Sequence, residues 1–130
     1  MKGYVTHIEE ATLKNDLFRK VLYTARNSQL VLMSIPLGQD IGEEVHELDQ
    51  FLRIEQGEGE ALLDGVRHAL QEGSAVLVPA GTRHNLVNTG KIPLKLYTLY
   101  APPNHRDGVV HERKEDALRD EEHFDGRVSE

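Results

Sequence analysis

The chain contains no cysteine, so neither a disulfide framework nor a thiolate metal site is open to it. No apolar run approaches the length needed to cross a bilayer. The start, Met1-Lys2-Gly3-Tyr4-Val5-Thr6-His7, lacks the apolar stretch of a secretory signal. A cytoplasmic protein is the expectation. Positive charge is also scarce, with 15 Lys and Arg against 22 Asp and Glu, a formal net charge of -7. A surface of that sign repels phosphate backbones and anionic headgroups, so neither nucleic acid nor membrane is an expected partner. The sequence has no Gly-x-Ser-x-Gly elbow and no glycine-rich phosphate loop ahead of a helix. With those classes set aside, 130 residues at 38% hydrophobic content suit a single domain, 1–130, with one core.

What the chain does have is punctuation. Short apolar runs alternate with Gly, Pro, Asn and Asp, an all-β pattern. Phe18 to Tyr23 and Gln29 to Ile35 read as strands on either side of Ala25-Arg26-Asn27-Ser28. A longer extended stretch is predicted from Glu44 to Ile54. Asp64-Gly65 joins Glu60–Leu63 to Val66–Leu70 as a hairpin, since both residues tolerate the positive φ of a tight turn. Ser74 to Val78, His84 to Val87 and Pro93 to Tyr100 follow as strands. Glu9 to Asn15 has room for one helical turn. The barrel core is expected over about 17–101, with 102–130 as an extension. Within it, His111 to His123 is nearly all charged and reads as a short surface helix or a frayed tail.

Two segments carry the chemistry: Gly42 to Gly57 (GEEVHELDQFLRIEQG) and Gly73 to Asn88 (GSAVLVPAGTRHNLVN). In an extended strand, alternate residues share a face, so Glu44 and His46 lie on the side of Leu48, Gln50, Leu52 and Ile54. Polar groups among such neighbours need partners, and a metal ion is one kind of partner. The second segment supplies His84 directly after a Pro-x-Gly turn, where a strand begins. Taken alone, His46 reads as a hydrogen-bonded core histidine, Glu44 as a solvated carboxylate and Gln50 as a cross-strand hydrogen-bond donor. Their mutual spacing is what turns the reading towards ligation.

The second segment resembles the second cupin motif, Gly-x5-Pro-x-Gly-x2-His-x3-Asn, at each fixed position: Gly73, Pro79, Gly81, His84 and Asn88. The first is similar to the first cupin motif, Gly-x5-His-x-His-x3–4-Glu-x6-Gly, through His46 and Gly57. Glu44 stands where that motif has its first His, and Gln50 where it has Glu. The resemblance implies an all-β double-stranded β-helix, the cupin jelly-roll barrel, holding one divalent metal. Carried over residue by residue, the ligands are Glu44, His46, Gln50 and His84. This mixed nitrogen and oxygen set suits Fe(II), Mn(II), Ni(II), Co(II) or Zn(II).

Small cupins of this kind are often grouped with mannose-6-phosphate isomerases. The resemblance therefore implies an isomerase-like enzyme acting on a small oxygen-rich metabolite such as a sugar or keto acid. An Fe(II)-dependent dioxygenase and a non-catalytic metabolite sensor are the alternatives. Analogy with small cupins also implies a homodimer, with the apolar strands Phe18–Tyr23 and Gln29–Ile35 as its surface. Tyr100 shares parity with Leu94, Leu96 and Thr98 and so faces the barrel interior. It joins His105 and His111 as candidates for the substrate pocket. The bland reading makes Tyr100 a buried tyrosine with a satisfied hydroxyl and leaves both histidines facing solvent.

Overall fold

Turn chemistry sets most element boundaries. In the computed structural model, which describes residues 2–130, a seven-residue helix α1 (Ile8–Lys14) precedes the first strands. These are β1 (Arg19–Thr24), β2 (Gln29–Ile35), β3 (Asp49–Gln56), β4 (Gly59–Leu63) and β5 (Val66–Leu70). Next come β6 (Ala75–Val78), β7 (His84–Asn88), β8 (Leu94–Ala101) and a two-residue β9 (Val110–His111). A short helix α2 (Lys114–Arg119) follows. A six-stranded sheet in the order β6-β3-β8-β2-β1-β9 faces a three-stranded sheet β5-β4-β7. Every strand pair is antiparallel. This is the expected double-stranded β-helix.

The alternation in β3 and β8 is what builds the core. Leu52 and Ile54 point inward from β3, and Leu94 and Leu96 from β8, all at 3% exposure or less. They meet Val31, Met33 and Ile35 of β2, together with Ala61 and Leu86 of the smaller sheet. Burying each such side chain contributes about 1.5–3 kcal/mol before the entropy of ordering is counted. Among the described residues no helix is long and apolar enough to cross a membrane.

One sequence expectation is corrected. The long strand predicted from Glu44 is interrupted: the β3 ladder begins at Asp49, while Glu44 forms an isolated bridge with His84. The reason is topological. Glu44 pairs with β7 of the smaller sheet and β3 belongs to the larger one, so residues 45–48 carry the chain from one to the other.

Much of the apolar surface of the first two strands packs inside the chain. Phe18, Val21, Val31, Leu32, Met33 and Ile35 are all buried. The N-terminal segment closes on the outer face of the large sheet. Lys95 on β8 donates through Nζ to the Leu13 carbonyl (2.7 Å) and to Asp16 Oδ1 (2.9 Å) there.

The short surface helix expected in the C-terminal extension is α2, none of whose residues is buried, and the segments on either side of it pack against the barrel. Arg19 and Lys20 of β1 pair with His111 and Val110 of β9. Beyond α2, Phe124 N–H donates to the Asn104 carbonyl (3.0 Å) and Ser129 N–H to the Thr24 carbonyl (2.9 Å). Its charged sequence hid this, because its partners lie far away along the chain.

Candidate metal centre

Glu44 and His84 are brought together by their own backbones. Each N–H donates to the other's carbonyl at 2.9 Å, and residues directly opposite in an antiparallel pair project to the same face. The Pro79-Ala80-Gly81 turn is fastened to the first segment at two points. Gly81 N–H donates to the His46 carbonyl (2.8 Å) and Ala80 N–H to Asp49 Oδ1 (2.9 Å). Gly81 holds φ at +85°, a conformation that glycine adopts without a Cβ penalty. His84 therefore leaves this turn in a fixed orientation. Its Nδ1–H donates to the Thr82 carbonyl (2.8 Å), so Nε2 keeps its lone pair.

His46 lies against His84, with ring centroids 5.0 Å apart and the rings near an edge-on arrangement. Its Nε2–H donates to Glu44 Oε2 at 2.7 Å. Its Nδ1 is buried and has no hydrogen-bond partner. Gln50, 4% exposed, donates from Nε2 to Thr98 Oγ1 (3.0 Å), while its Oε1 is buried without a partner. Burial alone disfavours ionisation of Glu44. The hydrogen bond from His46, together with the field of the neighbouring imidazoles and of Arg19, outweighs it and holds the carboxyl below its ordinary range.

Glu44, Gln50 and His84 line one narrow cavity with Tyr100, Leu52, Leu63 and others. Its free volume is about 20 Å³, room for a body about the size of one water. The sequence therefore assembled the four candidate ligands around one place. In the structure Glu44 and His46 satisfy each other, however. Among the described residues no three His, Asp or Glu side chains are arranged to hold a metal ion. The donor chemistry nonetheless fits a dication: two buried atoms with unused lone pairs, one imidazole with its lone pair set free by Thr82, and one ionised carboxylate.

Tyr100 faces inward as its parity indicated and is 3% exposed. Burial pushes its hydroxyl up to about 12. The expectation that His105 and His111 face solvent is overturned, since they are 6% and 4% exposed. His105 packs edge-on against the Tyr100 ring (5.2 Å between centroids) with Nε2 3.4 Å from the hydroxyl. Its Nδ1–H donates to Glu122 Oε2 at 2.7 Å. Burial lowers the His105 pKa, so the imidazole is neutral. Gln29 fixes this arrangement from below, accepting from His105 N–H (2.9 Å) and donating to the His105 carbonyl (2.7 Å). His111 stands apart at the sheet edge. It accepts from Arg19 Nη1 at Nδ1 (3.3 Å) and donates from Nε2 to Asp120 (3.0 Å).

Comparison with known proteins now bears on this architecture. A family model described as a cupin domain matches residues 31–100. The chain belongs to the cupin family. This cupin is 48% identical over 128 residues to the uncharacterized protein YrkC of Bacillus subtilis, covering 93% of this chain and 69% of that one. The solved structure of BH2720 from Bacillus halodurans is 44% identical, with a TM-score of 0.90 and coverage of 92% of this chain and 96% of that one. KdgF from a Halomonas species is more distant, at 27% identity and a TM-score of 0.60, covering 65% and 76%.

Sequence reasoning missed Arg19, Gln29 and Glu122. Arg19 sits in an apolar strand as an ordinary outward-facing charge would. Glu122 belongs to a run of like residues, and no spacing relates either of them to His84.

Proposed function

We propose that this cupin is a metal-dependent enzyme, isomerase-like, that moves a proton on a small oxygen-rich metabolite such as a sugar or keto acid. Glu44, His46, Gln50 and His84 are the ligands of one divalent ion. The observation that carries the reading is a juxtaposition. Unpartnered lone pairs on His46 Nδ1 and Gln50 Oε1 stand in the same interior as a tyrosine hydroxyl backed by a histidine and a carboxylate. When bound, a divalent ion supplies Lewis-acid polarisation of a substrate oxygen.

The protein's own groups divide the remaining work. Tyr100 stays protonated at neutral pH, because burial raises its pKa to about 12, and it is the proton donor facing the cavity. His105 Nε2 accepts the Tyr100 hydrogen bond at 3.4 Å, the distance at which Asn104 Nδ2 also approaches it. Glu122 orients the imidazole from the other side, an acid–base pair held by a third group. The packed walls around Leu52, Leu63 and Leu86 exclude bulk water. Two histidines and one carboxylate are also the donor set of non-haem Fe(II) oxygenases, which keeps oxygenation as the second reading.

The test has two parts. Elemental analysis of protein purified without added metal is expected to find about one transition metal per chain, and His84→Ala to lose most of it while circular dichroism stays β-like. Proton NMR in D₂O then follows deuterium incorporation next to the carbonyl of dihydroxyacetone and pyruvate. Tyr100→Phe should slow this exchange by about 100-fold. Full metal content in folded His84→Ala rejects the site. Oxygen uptake without exchange moves the assignment to oxygenation, and neither activity moves it to a binding protein.

A further inference from the structure

The barrel has an open seam. β5 ends the smaller sheet and β6 ends the larger one, and among the described residues no ladder joins them. Val66, His68 and Leu70 of β5 lie opposite Leu63, Ala61 and Gly59 of β4, so they share the face that lines the barrel. Leu70 is buried there, but Val66 is 57% exposed and His68 is exposed as well. The larger sheet stops at β6 and leaves this inward face of β5 uncovered.

The result is a groove of about 350 Å³, lined by Ala61, Leu63, His68, Leu70, Val76 and Leu77 among others. That is near the lower end of the range for small-molecule sites, about 300–1,000 Å³. Ala61, Leu63 and Val76 also line the inner cavity beside Glu44, Gln50 and His84, so a single layer of residues divides the two spaces. Strand register carries the groove to the candidate ligands. Val66, Leu63 and His84 form one row across β5, β4 and β7. Val78, Gln50 and Tyr100 form another across β6, β3 and β8. Two strand spacings amount to about 10 Å, the span of a short extended molecule.

The inner cavity, with room for about one water, takes an ion or a single oxygen atom and not a carbon skeleton. The skeleton of a ligand held at the Glu44–His84 wall therefore needs an adjoining space, and the seam shares its lining. The chemistry of that lining is aliphatic. Arg67, the charged residue of β5, sits on the opposite face of the strand and pairs with Glu60. A sugar in the groove would leave hydroxyls against methyl groups without partners; a hydrocarbon chain would not.

We propose that the seam between β5 and β6 is the tail site of the substrate, and that the substrate is a straight-chain aliphatic keto acid. Its oxygen-bearing end is turned to the Glu44–His84 wall. Its hydrocarbon chain lies over Ala61, with the half-buried Leu63 side chain swung aside, and ends beside His68. The inference deepens the proposed function by choosing keto acids over sugars, and it rests on the barrel interior being the ligand site.

A chain-length series tests it. Pyruvate, 2-oxobutanoate, 2-oxopentanoate and 2-oxohexanoate are titrated by calorimetry against the full-length protein as purified, with metal content measured alongside. Each added methylene is expected to tighten binding about three- to fourfold. His68→Trp, at an exposed position, fills the groove and should remove that gain while metal content stays at the parent level. Ala75→Trp, on the exposed β6 edge across the groove, repeats the test where His68→Trp fails to fold. Affinity that does not rise with chain length, or no binding by any of the four acids, overturns the proposal. A full gain that persists in folded His68→Trp and Ala75→Trp also overturns it, since the chain then enters by another opening. A flat series together with a dimer in light scattering that His68→Trp dissociates rejects the tail site and makes the seam a contact between two copies. Metal content separates the two readings: its loss in His84→Ala beside a flat series in the parent leaves the metal site intact and rejects only the tail site.

Discussion

A residue's chemistry here depends on what occupies its other atoms. His84 has a usable Nε2 because Thr82 takes its Nδ1–H. Gln50 has a usable Oε1 because its amide nitrogen is spent on Thr98. From this, Gln50→Glu should behave in opposite ways with and without metal. Without it, a carboxylate buried near Glu44 lacks solvation, and the fold should lose about 1–3 kcal/mol in urea denaturation with chelator present. With metal, the added negative charge should tighten binding by about tenfold in chelator competition. Gln50→Ala should change occupancy least of the four ligand variants, since water takes an amide's place. His84 was legible in the sequence because the Pro-x-Gly turn that positions it is local. Arg19 and Glu122 were not, because nothing in a charged residue's neighbours tells whether strands distant in sequence will cover it.

Elements repeat the lesson at larger scale. The hairpin β4–β5 was readable from Asp64-Gly65 alone, and the structure holds those residues at φ +47° and +83°, the pattern of a tight primed turn. Gly59 opens β4 and pairs with Asn88 of β7. Its role is close approach: a Cβ there would lie 2.5 Å from the Val87 carbonyl oxygen and 3.0 Å from Leu94 Cδ2. Backbone cannot yield as a flexible side chain can, so Gly59→Ala should cost about 1–3 kcal/mol through overpacking. Lowered urea midpoints with an unchanged slope would register it. Because β7 starts with His84, the same variant should also weaken metal binding. Gly73→Ala tests a different cause. It has open space around it but φ of +86°, so its cost is backbone strain alone and the metal site should be untouched.

For the whole molecule, the C-terminal extension ties the N-terminal segment and the end of β1 together. Glu130 accepts from the backbone N–H of Gly3 and from the Tyr23 hydroxyl, and Ser129 Oγ accepts from Thr24 N–H (2.8 Å). Glu122 is the buried member of this clasp, its side chain 4% exposed. Burial opposes its ionisation. The hydrogen bonds from His105 and from Arg106 N–H (2.6 Å) outweigh that and lower its pKa. A carboxyl depressed on folding stabilises the native state above its unfolded pKa, and that stability disappears as pH falls through the folded value. His105 acts in the same direction. Its folded pKa is also lowered, so as pH falls below about 6.5 the unfolded chain takes up the proton first and stability declines. The two groups therefore predict an acid limb with two stages, histidine first and carboxylate below about pH 4.5. Glu44 adds to the second stage, so the parent's profile does not isolate the clasp. Glu122→Gln does: it removes the depressed carboxyl while the amide oxygen can still accept one N–H. Urea denaturation from pH 2 to 8 should show the variant about 1–3 kcal/mol less stable at pH 8 and the gap narrowing only below about pH 4.5. A gap that stays constant with pH would mean that Glu122 contributes shape and not charge, and that the clasp is held by Ser129 and Glu130 instead.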